Sequence, residues 1–289
     1  VILVIGAGIA GLVSAQREGA IVIEEQANFG GLYGTEEINE LRIPALPPLI
    51  EREREILEIY PDADISEINL SIKVIDEEHL RAKICPICNS LPNWLFPSRK
   101  SLFVKNFPEI LNYLARKVKI VRGYPVKITK GTLFTNRGVY DFNRLINTGS
   151  RQRINRSLGL NEKIDAIGCL VLQIVTGHEI GDWDVYINGK SGTIFTHILR
   201  YPGDKQYYIY SFYNRGKLPD VDRVILDLKR ARLIESREDI LSLRARYINE
   251  CLLFGEKEKR RPEFLRECGR LGAWENMSLS DAIRSALEC

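Results

Sequence analysis

Long apolar runs are missing from this chain. Asp, Glu, Lys or Arg interrupts every hydrophobic stretch before the roughly 18 uncharged residues that a membrane span requires, which excludes a membrane-spanning helix. Charge of one sign is missing too: 41 Lys and Arg stand against 38 Asp and Glu, a formal +3, so composition advertises no nucleic acid or other polyanionic partner. Cysteine is scarce, six in 289 residues, too few for a scaffold built on disulfides. Four of the six, Cys169, Cys251, Cys268 and Cys289, stand alone in the sequence. Cys85 and Cys88 have the spacing of a redox dithiol or half a zinc site, but no further ligands stand at suitable spacing, so a structural disulfide or plain thiols is the expectation and no metal is assigned. His79, His178 and His197 form no metal or catalytic spacing, and each reads as a surface or structural residue. Methionine occurs once, at Met277, and with the high charge and few Gln this resembles thermophile composition. The opening run Val1–Ile5, with no basic segment before a longer apolar core and cleavage site, gives no support for secretion, and the low cysteine count makes a reducing cytoplasm the expectation.

What is present is ordinary globular material. Hydrophobic residues make up 45%, and the length suits about two domains. The first motif is a strand, a glycine turn and a helix in succession. Val1–Ile5 reads as a buried strand and is followed at once by Gly6-Ala7-Gly8-Ile9-Ala10-Gly11 and an apolar segment that can begin a helix. In such a turn Gly6 permits the bend, Gly8 lets the backbone approach a pyrophosphate, and Gly11 lets the helix pack on the strand. A phosphate would sit on the helix N-terminus. A second strand, Ala20–Ile23, ends in Glu24, whose carboxylate can accept hydrogen bonds from ribose hydroxyls, with Glu25 its neighbouring competitor. The interval from Gly11 to Glu24 is short, which implies either a clipped first helix or residues missing from this stretch.

Beyond Glu24 the run EQANFGGLYGT places Gly30-Gly31-Leu32 a short loop after the acidic residue. At the far end, residues 269–287 read GRLGAWENMSLSDAIRSAL, a Gly-Arg-x-Gly-x-Trp run leading into a helix that Ser278 or Ser280 can cap. Between them, 126–128, 131–134 and 144–146 read as short strands, and the last leads into Asn147-Thr148-Gly149. Together these motifs resemble the flavoprotein clan of amine oxidases, protoporphyrinogen oxidases and UDP-galactopyranose mutases. The resemblance implies FAD as cofactor, with Gly6, Gly8, Ile9, Ala10, Gly11, Glu24, Glu25, Gly30, Gly31, Leu32, Val126, Thr148, Gly149, Gly269, Arg270, Trp274, Met277 and Ser278 around it. Arg270 would lie by the phosphates, Trp274 near the ring, and Val126 would meet adenine through its backbone. Two positions depart from the clan: Asn276 stands where many relatives carry an aromatic residue, and Ser278 where many carry Asn.

The expected fold is α/β. A Rossmann-like FAD-binding domain with a parallel sheet is assembled from 1–60, 110–150 and 255–289, and an inserted α+β substrate domain on an antiparallel sheet comprises 61–109 and 151–254. The runs CLVLQIV, WDVYI, GTIFTHIL and QYYIYSFY, separated by turn residues, supply that sheet. Tyr208, Tyr210 and Phe212 share one face of it by the period of two, and Tyr208 and Tyr210 are candidate substrate contacts. Arg151 heads a group with Arg153 and Arg156 that could hold an anionic substrate. Helices are expected over 222–232 and 240–253, and the mixed-charge run 256–262 reads as an exposed connector.

Function follows from the cofactor. Flavin N5 would carry the chemistry, so no catalytic side chain is singled out. The leading expectation is an FAD-dependent oxidoreductase dehydrogenating a small or medium organic substrate, an amine or a C–C or C–N bond. The alternatives are a flavin-dependent isomerase like UDP-galactopyranose mutase and an FAD-binding protein without turnover. Cationic side chains at the pocket favour the mutase by matching a diphosphate, and an aromatic cage favours dehydrogenation.

Overall fold

A computed structural model describes residues 1–38, 41–44, 46–214, 216–258 and 260–289. Lys259, within the charged 256–262 run, lies outside the described residues. The chain forms two compact units, one built from Val1–Glu67, Leu102–Ile164 and Phe254–Cys289, the other from Ile68–Ser101 and Asp165–Leu253.

The first unit is organised around a five-stranded parallel sheet in the order Leu265–Glu267, Arg144–Asn147, Ile2–Ile5, Ile21–Glu24, Lys119–Arg122. Its three inner strands are short, mainly apolar runs that are largely buried, as the centre of a parallel sheet covered on both sides requires, and the edge strands Lys119–Arg122 and Leu265–Glu267 carry charged, more exposed residues. The helix Ile9–Glu18 follows the first strand and stops after ten residues because Gly19 takes the left-handed conformation, φ 62°, and returns its N–H to Ala15. That stop accounts for the short Gly11–Glu24 interval. Leu12 and Val13 of this helix pack with Ile283 and Ala286 of the C-terminal helix Leu279–Leu287, which brings the two ends of the chain onto one core. A three-stranded meander, Pro125–Thr129, Thr132–Thr135 and Gly138–Asp141, precedes the returning strand Arg144–Asn147.

The second unit carries a six-stranded sheet in the order Ile240–Glu256, Lys163–Thr176, Gln206–Tyr213, His197–Arg200, Val185–Asn188, Ile72–Ile75. Its central pairs are antiparallel and the last pair is parallel. Helix Val221–Arg230 covers one face, and Asp220 caps it by accepting the Asp222 N–H.

Two sequence expectations are corrected here. Residues 240–253 lie in a strand, Ile240–Glu256, and form no helix. Ile240, Leu243, Ile248 and Leu252 fit a helical period, but alternation wins because the segment pairs along the sheet beside Lys163–Thr176. Cys268 and Cys289 do not stand alone: they form a disulfide, as do Cys85 and Cys88. The helix Leu279–Leu287 carries the chain back so that its last residue meets the residue before Gly269, a closure invisible in local spacing.

Candidate functional site

The glycine turn forms as its residues require. A side chain at Gly11 would overlap the carbonyl oxygen of Gly6 and the Thr148 hydroxyl, so the close approach of helix and strand needs glycine there. Thr148 Oγ1 donates to the Ile5 carbonyl at 2.9 Å, tying the Asn147-Thr148-Gly149 turn to the end of the first strand. Gly8 behaves differently. A Cβ built on Gly8 meets nothing, so internal packing gives no reason for glycine at this position. The helix that Gly8 opens has no side-chain cap and no acidic residue in its first turn, which leaves its leading N–H groups, including those of Ile9 and Ala10, for an anion.

Glu24 closes this cradle from the second strand. Its Oε2 accepts the Ala7 N–H at 2.5 Å and its Oε1 accepts the Gln26 N–H at 2.6 Å. Each oxygen keeps lone-pair capacity for a further donor, as a ribose diol would supply. Glu25 faces elsewhere and pairs with Arg153, whose guanidinium lies 5.8 Å from the Tyr124 ring centre. The loop carrying Gly30, Gly31 and Leu32 docks on the glycine turn. Gly30 donates to the Ala7 carbonyl at 2.7 Å, bridges to Gly8, and holds φ 96°, a left-handed conformation that glycine alone takes without strain.

The remaining motif residues occupy the same unit. Val126 sits at an irregularity in the strand pairing between Pro125 and Lys127 and is 55% exposed. Gly269 donates to Ser285 Oγ at 2.9 Å and abuts Ala10. Arg270 and Glu51 both act electrostatically on Tyr33, whose hydroxyl burial pushes up to about 12. Trp274 is buried and its Nε1 donates to the Phe254 carbonyl at 2.9 Å, so the indole nitrogen is bound within the protein. Met277 is half-buried, and Ser278 rather than Ser280 caps the C-terminal helix, accepting the Asp281 N–H and donating to Glu51 Oε2 at 2.8 Å.

Arg151 lies where sequence reasoning did not put it. It is 4% exposed, and its guanidinium donates twice to Glu162, at 2.7 Å each, and to Glu267 at 2.5 Å. Burial pushes the Glu162 carboxyl up, but Arg151 and Asn155 outweigh it and hold the group down at about 2. This arginine is engaged by carboxylates of its own chain.

In the second unit, Tyr208 is paired across the sheet with Gln173 and Leu199, and Tyr210 with Val171 and His197. Directly opposed residues share a face, so these six lie together, away from helix Val221–Arg230. Tyr208 is buried and Tyr210 half-buried. His197, read from the sequence as structural, belongs to this aromatic face. Only the strand register shows it, since no spacing of the three histidines could.

No protein-family model and no curated protein matches the sequence. Solved structures do match in fold. A reduced UDP-galactopyranose mutase superposes with a TM-score of 0.76 at 13% identity, over 99% of this chain and 92% of that one. An oxidoreductase from Methanosarcina mazei gives 0.68 at 11% identity, over 99% of both chains. Putrescine oxidase bound to putrescine gives 0.67 at 10% identity, over 99% of this chain and 97% of that one. The chain therefore shares the fold of the clan its motifs resemble: a parallel-sheet unit of Rossmann type combined with a second unit built on a mainly antiparallel sheet.

Proposed function

We propose that this chain is an FAD-dependent oxidoreductase that dehydrogenates a small or medium organic substrate, an amine or a C–C or C–N bond. The observation that carries the cofactor assignment is the open side of Gly8 at an uncapped helix N-terminus, with the Glu24 carboxylate fixed beside it. A pyrophosphate suits the first and a ribose diol the second, and a dinucleotide has both. Gly6, Gly8, Ile9, Ala10 and Gly11 would hold the phosphates, with Arg270 adding positive charge. Glu24 would take the ribose, the Val126 backbone the adenine, and the Gly30-Gly31-Leu32 loop, Thr148, Gly149, Gly269, Trp274, Met277 and Ser278 would enclose the rest. Bound FAD supplies the hydride acceptor. The protein's own part is to bind, orient and exclude water, and the first-turn N–H groups of Leu279–Leu287 offer partial positive charge for a flavin that gains electrons.

Between dehydrogenation and a mutase, the side chains favour dehydrogenation. A nucleotide-sugar diphosphate needs free cations, whereas Arg151 is held by Glu162 and Glu267 and Arg153 by Glu25. The aromatic sheet face of Tyr208, Tyr210 and Phe212 suits an uncharged or cationic organic substrate instead. The deciding experiment is anaerobic mixing of the FAD-loaded protein with a panel of primary and secondary amines, putrescine included. Bleaching of the flavin band supports this reading. Conversion of UDP-galactopyranose after dithionite reduction, with no bleaching by amines, would replace it with the mutase.

A further inference from the structure

The outer edge of the parallel-sheet unit carries a cavity that the dinucleotide cradle does not use. Its volume is about 280 Å³, it opens to solvent, and it is lined by Phe29, Asn112, Ala115, Arg116, Val118 and Ile120. Helix Phe107–Arg116, the edge strand Lys119–Arg122 and the loop ahead of Gly30 supply its walls. The helix sends Phe107, Ile110, Leu111 and Leu114 into the core, and Asn112, Ala115 and Arg116 are left to line the cavity. Ala115 is short, which makes the notch. On the strand, Ile120 packs with the helix side of the core and Val121 with the opposite side. Phe29, Ala115, Val118 and Ile120 are each half-buried, so the protein itself covers this apolar bed only in part.

Two polar side chains stand over the bed. Asn112 and Arg116 are four residues apart and share a helix face, and among the described residues neither makes a hydrogen bond or an ion pair. The neighbouring cations are engaged: Lys117 donates to the Tyr113 hydroxyl and lies over its ring, and Arg122 donates to the Glu25 carbonyl. From 110 to 140 the sequence holds seven Lys and Arg and no Asp or Glu, so this stretch supplies no carboxylate to compete for Arg116. A guanidinium fork beside an amide donor matches the two oxygens of a carboxylate, and one cation balances one negative charge. The volume stands at the foot of the range for ligand cavities, which begins near 300 Å³, so the apolar body has to be compact.

We propose that this cavity binds a small apolar monocarboxylate of the arylcarboxylate kind. Arg116 pairs with the carboxylate, Asn112 donates to one of its oxygens, and the ring lies on Phe29, Val118 and Ile120. Arg116 stands in the last turn of its helix, where the free carbonyls repel an anion. The guanidinium reverses that sign, and its removal leaves the repulsion. The site is independent of the oxidoreductase reading, since none of its lining residues belongs to the glycine turn, Glu24 or Val126. Phe29 does adjoin Gly30, so the test keeps the two sites apart.

The probe is 2-naphthoate, followed by equilibrium dialysis against the protein as purified, with 2-naphthamide as its uncharged match. Saturable uptake of one 2-naphthoate per chain is expected, with 2-naphthamide at least tenfold weaker. Asn112 and Arg116 are exposed, so substituting them leaves the core intact. Arg116→Gln should weaken uptake at least tenfold, Arg116→Lys should recover part of it, and Asn112→Ala should cost less. Ala115→Phe, which fills the notch, should abolish it. Absence of saturable uptake, or unchanged affinity in Arg116→Gln, overturns the proposal. Displacement of 2-naphthoate by ADP also overturns it, by placing the probe in the dinucleotide cradle.

Discussion

Gly8 and Gly11 are three residues apart, but a side chain at each would meet different things. At Gly11 it would strike the Gly6 carbonyl and Thr148, so Gly11→Val is expected to destabilise the fold by about 3 kcal/mol, the upper end for overpacking. At Gly8 a Cβ would meet nothing in the protein, so Gly8→Val should cost no more than about 1 kcal/mol, the loss of a good N-cap residue, and lower FAD affinity at least tenfold. Denaturation and fluorescence titration of both variants check this pair, and an FAD affinity untouched in Gly8→Val would remove the phosphate role of the turn. His197 gives a pH expectation with a definite sign. Its folded pKa, about 4, lies below the ordinary 6.5, so the unfolded chain binds the proton first as pH falls. Its contribution is complete above pH 6.5 and is lost between 6.5 and 4, about 3 kcal/mol in all. Urea unfolding across that window should show a steeper loss in the parent than in His197→Phe. Most of the glycine motif was legible in sequence because turn geometry demands the residue type. The environment of His197 was not, since it depends on which residues stand opposite in the sheet.

At the scale of elements, the buried cluster of Arg151, Glu162, Arg261 and Glu267 binds the helix Arg151–Leu158 to the strand Leu265–Glu267. Removing one member leaves buried charge uncompensated, so Arg151→Met should cost about 3–5 kcal/mol in urea unfolding. A loss below 1 kcal/mol would show that the cluster is better solvated than its burial indicates. The disulfide Cys268–Cys289 closes a loop of 21 residues in sequence separation around the C-terminal helix. Cys289→Ser should lower stability by about 3 kcal/mol on the loop-entropy account, with hydrogen exchange rising first in Leu279–Leu287. The strands Ile2–Ile5, Ile21–Glu24 and Arg144–Asn147, the first two strands of the meander and the C-terminal helix were readable from period and caps, whereas Lys119–Arg122, Gly138–Asp141 and Leu265–Glu267 were not. The strand Ile240–Glu256 was not: its apolar residues satisfy a helical spacing, and pairing decides the outcome. The Arg151 cluster escaped for a related reason, because Glu162 and Glu267 stand 11 and 116 residues away.

At the scale of the whole molecule, three segments distant in sequence make the parallel-sheet unit, and the glycine turn, the Gly30–Gly31 loop, the Thr148–Gly149 turn and Gly269 meet within it. A dinucleotide bound there would touch all three segments and raise the stability of the unit as a whole. Saturation at 100 times the dissociation constant is worth about 2.7 kcal/mol. The measurement that tests the account most directly is the visible absorption spectrum of the purified protein, followed by chromatography of any nucleotide released in denaturant. Flavin bands and one FAD released per chain are the predicted result. A colourless protein that also takes up no added FAD would contradict the account and leave a Rossmann-type fold without its cofactor.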